Sequence, residues 1–412
     1  MSIYVGDDNQ LDNVDFMPEP TDFRIVSAVD PSTNGHQDGW RSEVVGWAPL
    51  PVHTVPARRR NTRKITNAGI FVILTILFWA LLKSEFFWLE IPPPTSEWAY
   101  EDSGARDLQD IGLTGEGVRL CMVDTGIDAS HSDFENLELI FRDFTTGSQE
   151  PVDRGSLAHG TMMAGIVAAD GYMVGAAPNV VLGMAAALGD DGEGGNTGNE
   201  EVVANAIEWC WESFEADIIS LSLGGVNDPN SPRNGPTVNA VNVALSKGIF
   251  VVAAAGNDGG DGDDGRVTTP SNVPGVITVG ASQKDGKVWE GSSLGERVNS
   301  DGQEREHPNL KPEIIAPGVD LISTGDNNQY YTSTGTSDST ALVGGILALI
   351  LESEPHLKNR NIDCIDEVKY ALMNSTITED GLISHNSKSG YGVINGMGWL
   401  TEIQENVTCQ SG

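Results

Sequence analysis

The apolar positions of this 412-residue chain fall into runs of two kinds. Residues 65–82 form one long run without a charge, broken only by Thr66, Asn67 and Thr75. That length is at the short end of what crosses a bilayer as a helix, and it predicts a transmembrane helix over 65–82. The other runs are short. Val118–Val123 reads as a buried parallel strand and Asp217–Leu221 as a second strand, because strands covered on both faces are continuously apolar rather than alternating. Gly160–Ala169 and Ser339–Leu351 are small and aliphatic throughout and read as helices packed against a sheet. Another helix carries Trp209, Cys210 and Trp211.

Charge sets the orientation of the long run. Arg58, Arg59, Arg60, Arg63 and Lys64 precede it and only Lys83 closely follows, so the positive-inside rule puts the amino end in the cytoplasm. Trp79, Phe86, Phe87 and Trp88 supply an interfacial belt. Lys83-Ser84-Glu85-Phe86 offers no small-residue cleavage site, so the run reads as a single-pass anchor at the cell membrane with the following domain outside. Residues 1–83 hold 8 basic and 9 acidic side chains, whereas 84–412 hold 16 and 50, leaving a net charge of -34 on the outer part. So acidic a surface repels phosphate backbones, and nucleic acid is excluded as a partner. Before the basic cluster the chain is polar with scattered prolines and reads as a disordered tail. The expected organisation is a tail over 1–64, the span over 65–82, a stiff Pro-rich linker over 83–97 containing Pro92-Pro93-Pro94, a large globular domain over 98–405 and a short tail over 406–412.

Three segments of the outer part carry candidate chemistry: Val123-Asp124-Thr125-Gly126, His159-Gly160-Thr161 and Gly335-Thr336-Ser337. A serine hydroxyl is a poor nucleophile at neutral pH. It needs an imidazole to take its proton and a buried carboxylate to fix the imidazole tautomer. Asp124 ends an apolar strand, at the edge where open α/β sheets build their sites. Ser337 opens a helical run whose positive end faces the reaction centre.

In these motifs and in the order Asp, His, Ser the chain resembles the subtilisin-like serine proteases. Ala253-Ala254-Ala255-Gly256-Asn257 adds the segment whose asparagine donates to the oxyanion. Ser222-Leu223-Gly224-Gly225 resembles the strand that pairs with the bound peptide. Gly175–Pro178, Lys311–Gly318 and Gly390–Asn395 match further family segments. The resemblance implies an α/β fold with a mostly parallel central sheet flanked by helices. It also implies a serine endopeptidase acting through Asp124, His159 and Ser337, with Asn257 at the oxyanion. Ser222, Leu223, Gly224, Gly225 and Gly256 would bind a peptide or protein substrate, and no cofactor would be needed for the chemistry. Glycine at 224 and 256 implies a specificity pocket open to medium or large apolar side chains. Relatives often carry a folded inhibitory propeptide before the protease, and the roughly fifteen residues after Leu82 leave no room for one.

Departures from the family pattern touch the site. Met162 replaces a second histidine, Ala341 replaces a proline, and Asp338 stands where methionine usually follows the nucleophile. Asp338 either stabilises the helix start or repels the developing oxyanion, and it is positioned to raise the pKa of His159. The repulsive case leaves a second reading, an inactive relative that only binds extended peptides. Calcium is possible as a structural ion. Asp133 is the candidate ligand, although its partner loop Asp170–Val174 is short, and the Asp258–Gly265 loop reads as a solvated acidic turn. Cys121 and Cys210 read as buried thiols, while Cys364 and Cys409 are placed to pair in an oxidising exterior.

Overall fold

A computed structural model describes residues 66–77, 79, 95–225, 235–298, 302–378, 381 and 383–409. The chain divides into two compact units, Met1–Ile91 and Pro92–Gly412. In the first, residues 66–77 are helical. Ile70, Phe71, Ile73, Leu74 and Ile76 are all exposed along this helix, and the hydroxyl of Thr75 donates to the Phe71 carbonyl one turn back at 2.8 Å. Among the described residues no helix is long and apolar enough to cross a membrane. Residues 65, 78 and 80–82 of the expected span lie outside them, as do the tail over 1–64, linker residues 83–94 and residues 410–412 of the tail expected over 406–412.

The second unit is built on seven strands: β1 Arg119–Asp124, β2 Leu139–Asp143, β3 Val181–Ala186, β6 Ile218–Leu221, β7 Phe250–Ala254, β8 Ile277–Ser282 and β9 Ile314–Pro317. They pair in the order β2-β3-β1-β6-β7-β8-β9, and every pairing is parallel. The central strands β6 and β7 are buried at every position, which is why they read as unbroken apolar runs. Two short hairpins lie outside the sheet, β4 Gly189–Asp190 with β5 Asn196–Thr197, and β10 Leu321–Thr324 with β11 Tyr330–Ser333.

Helices cover both faces: α1 Glu97–Asp102, α2 Ala105–Asp110, α3 His159–Ala168, α4 Glu200–Glu212, α5 Pro236–Ser246, α6 Thr336–Ser353, α7 Ile362–Ser375 and α8 Gly396–Asn406. Neighbouring residues of β1 show the division. Leu120 faces Gly344 of α6, while Cys121, pointing the other way, is bonded to Cys210 of α4. Helix α6 starts at Thr336, earlier than its apolar pattern suggests, so Ser337 sits inside its first turn; Thr336 to Leu351 are all buried. Cys121 and Cys210 are thus a disulfide rather than two buried thiols, because α4 packs across β1 at that level. Cys364 of α7 pairs with Cys409.

Candidate active site

Asp124 is the last residue of β1 and fully buried. Its Oδ1 accepts from the Thr125 amide at 2.7 Å and lies 2.7 Å from Nδ1 of His159, the first residue of α3. A carboxylate at that distance holds the proton on Nδ1 and leaves the Nε2 lone pair as a base. Burial disfavours the imidazolium, but the charge and hydrogen bond of Asp124, with the charges of Asp338 and Asp153, outweigh it and raise the His159 pKa to about 9. Asp153 clamps the two elements together. Its Oδ1 accepts from the Thr125 hydroxyl at 2.7 Å and the Gly155 amide at 2.9 Å, and its Oδ2 from the amide and hydroxyl of Thr161, both at 2.7 Å. Leu157 and Ala158, immediately before His159, both have left-handed backbones, with φ of 53 and 52°. Such strain in non-glycine residues costs about 1–3 kcal/mol each and collects at functional sites.

Ser337 is brought to the same edge. Its hydroxyl donates to the Ser222 carbonyl at 3.4 Å, just past the end of β6. Its amide lies in the first turn of α6, where amides have no acceptor within the helix. Asn257 follows β7. Its Oδ1 accepts from the amide of Thr336 at 3.0 Å and its hydroxyl at 2.9 Å, which turns Nδ2 away as a free donor. Thr336 in turn accepts from the Gly256 amide at 3.2 Å. A donor pair beside a serine at the head of a helix is what a tetrahedral oxyanion requires.

Two features of the substrate-binding residues differ from expectation. The amide of Gly225 donates to the Thr269 carbonyl at 3.0 Å, and the Gly225 carbonyl accepts from the Thr269 amide, so the backbone edge left for a peptide ends at Gly224. The room expected at Gly224 and Gly256 is taken by other side chains. A Cβ on Gly224 would meet the Thr268 hydroxyl at 2.2 Å, and one on Gly256, where φ is +118°, would meet Ser293 Oγ at 2.4 Å and Thr268 Cγ2 at 2.6 Å. Thr268 therefore lies against both glycines and takes the space their side chains would need.

Asp338 is 1% exposed. Its Oδ2 accepts from the Ser333 hydroxyl at 3.0 Å, and its Oδ1 is buried with no hydrogen-bond partner. Met162 and Ala341, the other two departures, are buried apolar residues.

Asp133 does not suit calcium. Its Oδ1 accepts from the Tyr172 amide at 2.9 Å, and its Oδ2 accepts from the Met173 amide at 3.0 Å and the Tyr330 hydroxyl at 2.9 Å. Protein donors thus occupy the oxygens a cation would need. The Asp258–Gly265 loop uses its carboxylates similarly, Asp263 accepting from the amides of Gly265 and Leu294. Among the described residues no cluster of His, Cys, Asp and Glu is arranged to hold a metal ion.

Asp153, Thr268 and Thr336 were not singled out from the sequence. Thr336 lies inside the Gly-Thr-Ser segment, a usable signal, whereas Asp153 and Thr268 have no local pattern that marks them.

Residues 115–398 match the Subtilase family. The serine protease AprX of Bacillus subtilis (strain 168) is 36% identical, over 68% of this chain and 66% of that protein. Subtilisin NAT of Bacillus subtilis subsp. natto is 33% identical, over 68% of each. The major intracellular serine protease of Bacillus subtilis (strain 168) is 33% identical, over 67% of this chain and 81% of that protein. The chain thus spans about two thirds of the length of AprX and subtilisin NAT.

Proposed function

The chain belongs to the subtilase family of serine-type endopeptidases, and from that premise we propose that it hydrolyses peptide bonds through Asp124, His159 and Ser337. The 2.7 Å contact between Asp124 and His159 at the sheet edge that also holds Ser337 is the observation that carries this reading. Ser337 Oγ attacks the carbonyl carbon while its proton passes to His159 Nε2. The oxyanion is held by the Ser337 amide and Asn257 Nδ2. His159 then gives the proton to the departing amine, leaving an ester on Ser337 that water cleaves by the same transfers. The substrate is a peptide or protein whose extended backbone lies along Ser222, Leu223 and Gly224.

We further propose that the peptidase is held at the cell membrane by residues 65–82, with the amino end cytoplasmic and the catalytic domain outside. The apolar, exposed helix over 66–77 supports this, as does Thr75, whose hydroxyl is already satisfied within the helix. Two disulfides fit an oxidising exterior. Recovery of the full chain in the alkaline-carbonate supernatant of lysed cells would exclude the anchor.

The catalytic reading is tested by labelling the detergent-solubilised chain with a fluorophosphonate beside a Ser337→Ala control. Labelling that disappears in the control is expected. Its absence from the parent chain at every pH would leave a protein that only binds extended peptides.

A further inference from the structure

Asp338 is a buried carboxyl that the proposed chemistry does not use, and it lies against the group that chemistry depends on. It follows Ser337 in the first turn of α6, with Ser333 of β11 on one oxygen and no partner on the other. It lies within charge reach of His159 on α3 and of Tyr100 on α1. A Cβ on Gly335 would stand 3.6 Å from Asp338 Oδ2 and 3.2 Å from Asn257 Nδ2, so both side chains flank Gly335 at the head of α6. The other charges here are Asp124 and Asp153, facing His159, and Glu97 and Arg106, facing Tyr100. Arg106 and Glu97 pair with each other. His159 thus has Asp124 on its Nδ1 side and the charge of Asp338, beside the nucleophile, acting in the same direction.

We propose that Asp338 is a positioning residue whose buried carboxylate favours the protonated form of His159, so that Ser337 becomes a nucleophile at a higher pH than it would without that charge. The inference rests on the endopeptidase reading. An imidazolium cannot take the serine proton, and every carboxylate near it favours that form. Burial pushes Asp338 itself up to about 7, against the Ser333 hydrogen bond and the His159 charge. While Asp338 is ionised it adds to the pull of Asp124 on the imidazolium.

The test is the rate of fluorophosphonate inactivation of the full chain between pH 5 and 11, for the parent and for Asp338→Asn, which keeps the shape and removes the charge. The expected result is a midpoint displaced to lower pH and a rate at pH 7 raised about tenfold or more. Asp338→Ala is the second variant. It removes the same charge without the amide and should move the midpoint the same way, so it decides the matter alone if Asp338→Asn does not fold. Labelled parent and variants with one midpoint would overturn the proposal and leave the endopeptidase reading intact. A parent chain unlabelled at every pH would defeat that reading, and the proposal with it.

Discussion

Asp153 shows how much of this site depends on residues that never meet the substrate. Four hydrogen bonds accepted by one carboxylate tie Thr125, beside Asp124, and Gly155 to Thr161 in the first turn of α3. Asp153→Ala should therefore lower kcat/KM by tenfold or more, since small misplacements of a catalytic pair are costly. Retention of the parental rate would show that the clamp is dispensable. Asn257→Ala removes the donor proposed for the oxyanion, and kcat should fall by about a hundred- to a thousandfold with KM little changed. Thr268→Gly vacates the space beside Gly224 and Gly256. In peptides differing only at the residue before the scissile bond, preference should shift from alanine toward phenylalanine. An unchanged ranking would mean that another side chain sets the depth.

Elements were more legible than these residues. The apolar run ending in Asp124 is a strand, and the small-residue run after His159 is a helix, because continuous burial leaves a continuous apolar pattern. Ser337 and Asn257 sit in short segments whose neighbours had to be small, so they too were readable. Asp153 and Thr268 escaped notice because their partners lie on other elements, and no local periodicity records a chain folding back. Cys121 and Cys210 escaped for the same reason: each looks like an ordinary core residue until α4 is laid across β1. That disulfide joins the strand carrying Asp124 to the opposite helical layer, and closing so long a loop stabilises by about 2–5 kcal/mol. Replacing both cysteines with alanine should lower the denaturant midpoint accordingly, while the charge environment of Asp124 is left in place.

At the scale of the whole molecule, the acidic surface encloses a buried network of opposite character. Lys311 and Lys369 both donate to Glu313, at 2.9 and 2.7 Å, with all three side chains at most 2% exposed. Burial disfavours the Glu313 carboxylate, but the two lysines hold it below its ordinary value of 4.5. A depressed carboxyl contributes stability that is present above its unfolded value and is lost as pH falls through the folded one. Acid unfolding should therefore set in below the ordinary glutamate range. Glu313→Gln, which strands two buried ammonium groups, should cost about 3–5 kcal/mol in urea titrations at neutral pH. A cost under about 1 kcal/mol would mean that Lys311, which burial already pushes well below the ordinary lysine range, gives up its proton instead. The seven parallel strands have a further consequence, one of timing. Asp124 and Ser337 stand roughly two hundred residues apart, and every strand pairing needs a crossover. On the ribosome the carboxylate and imidazole emerge long before the nucleophile. On the mechanism proposed above, a chain interrupted before α6 lacks its nucleophile, so the order of synthesis itself delays the hazard of making such an enzyme.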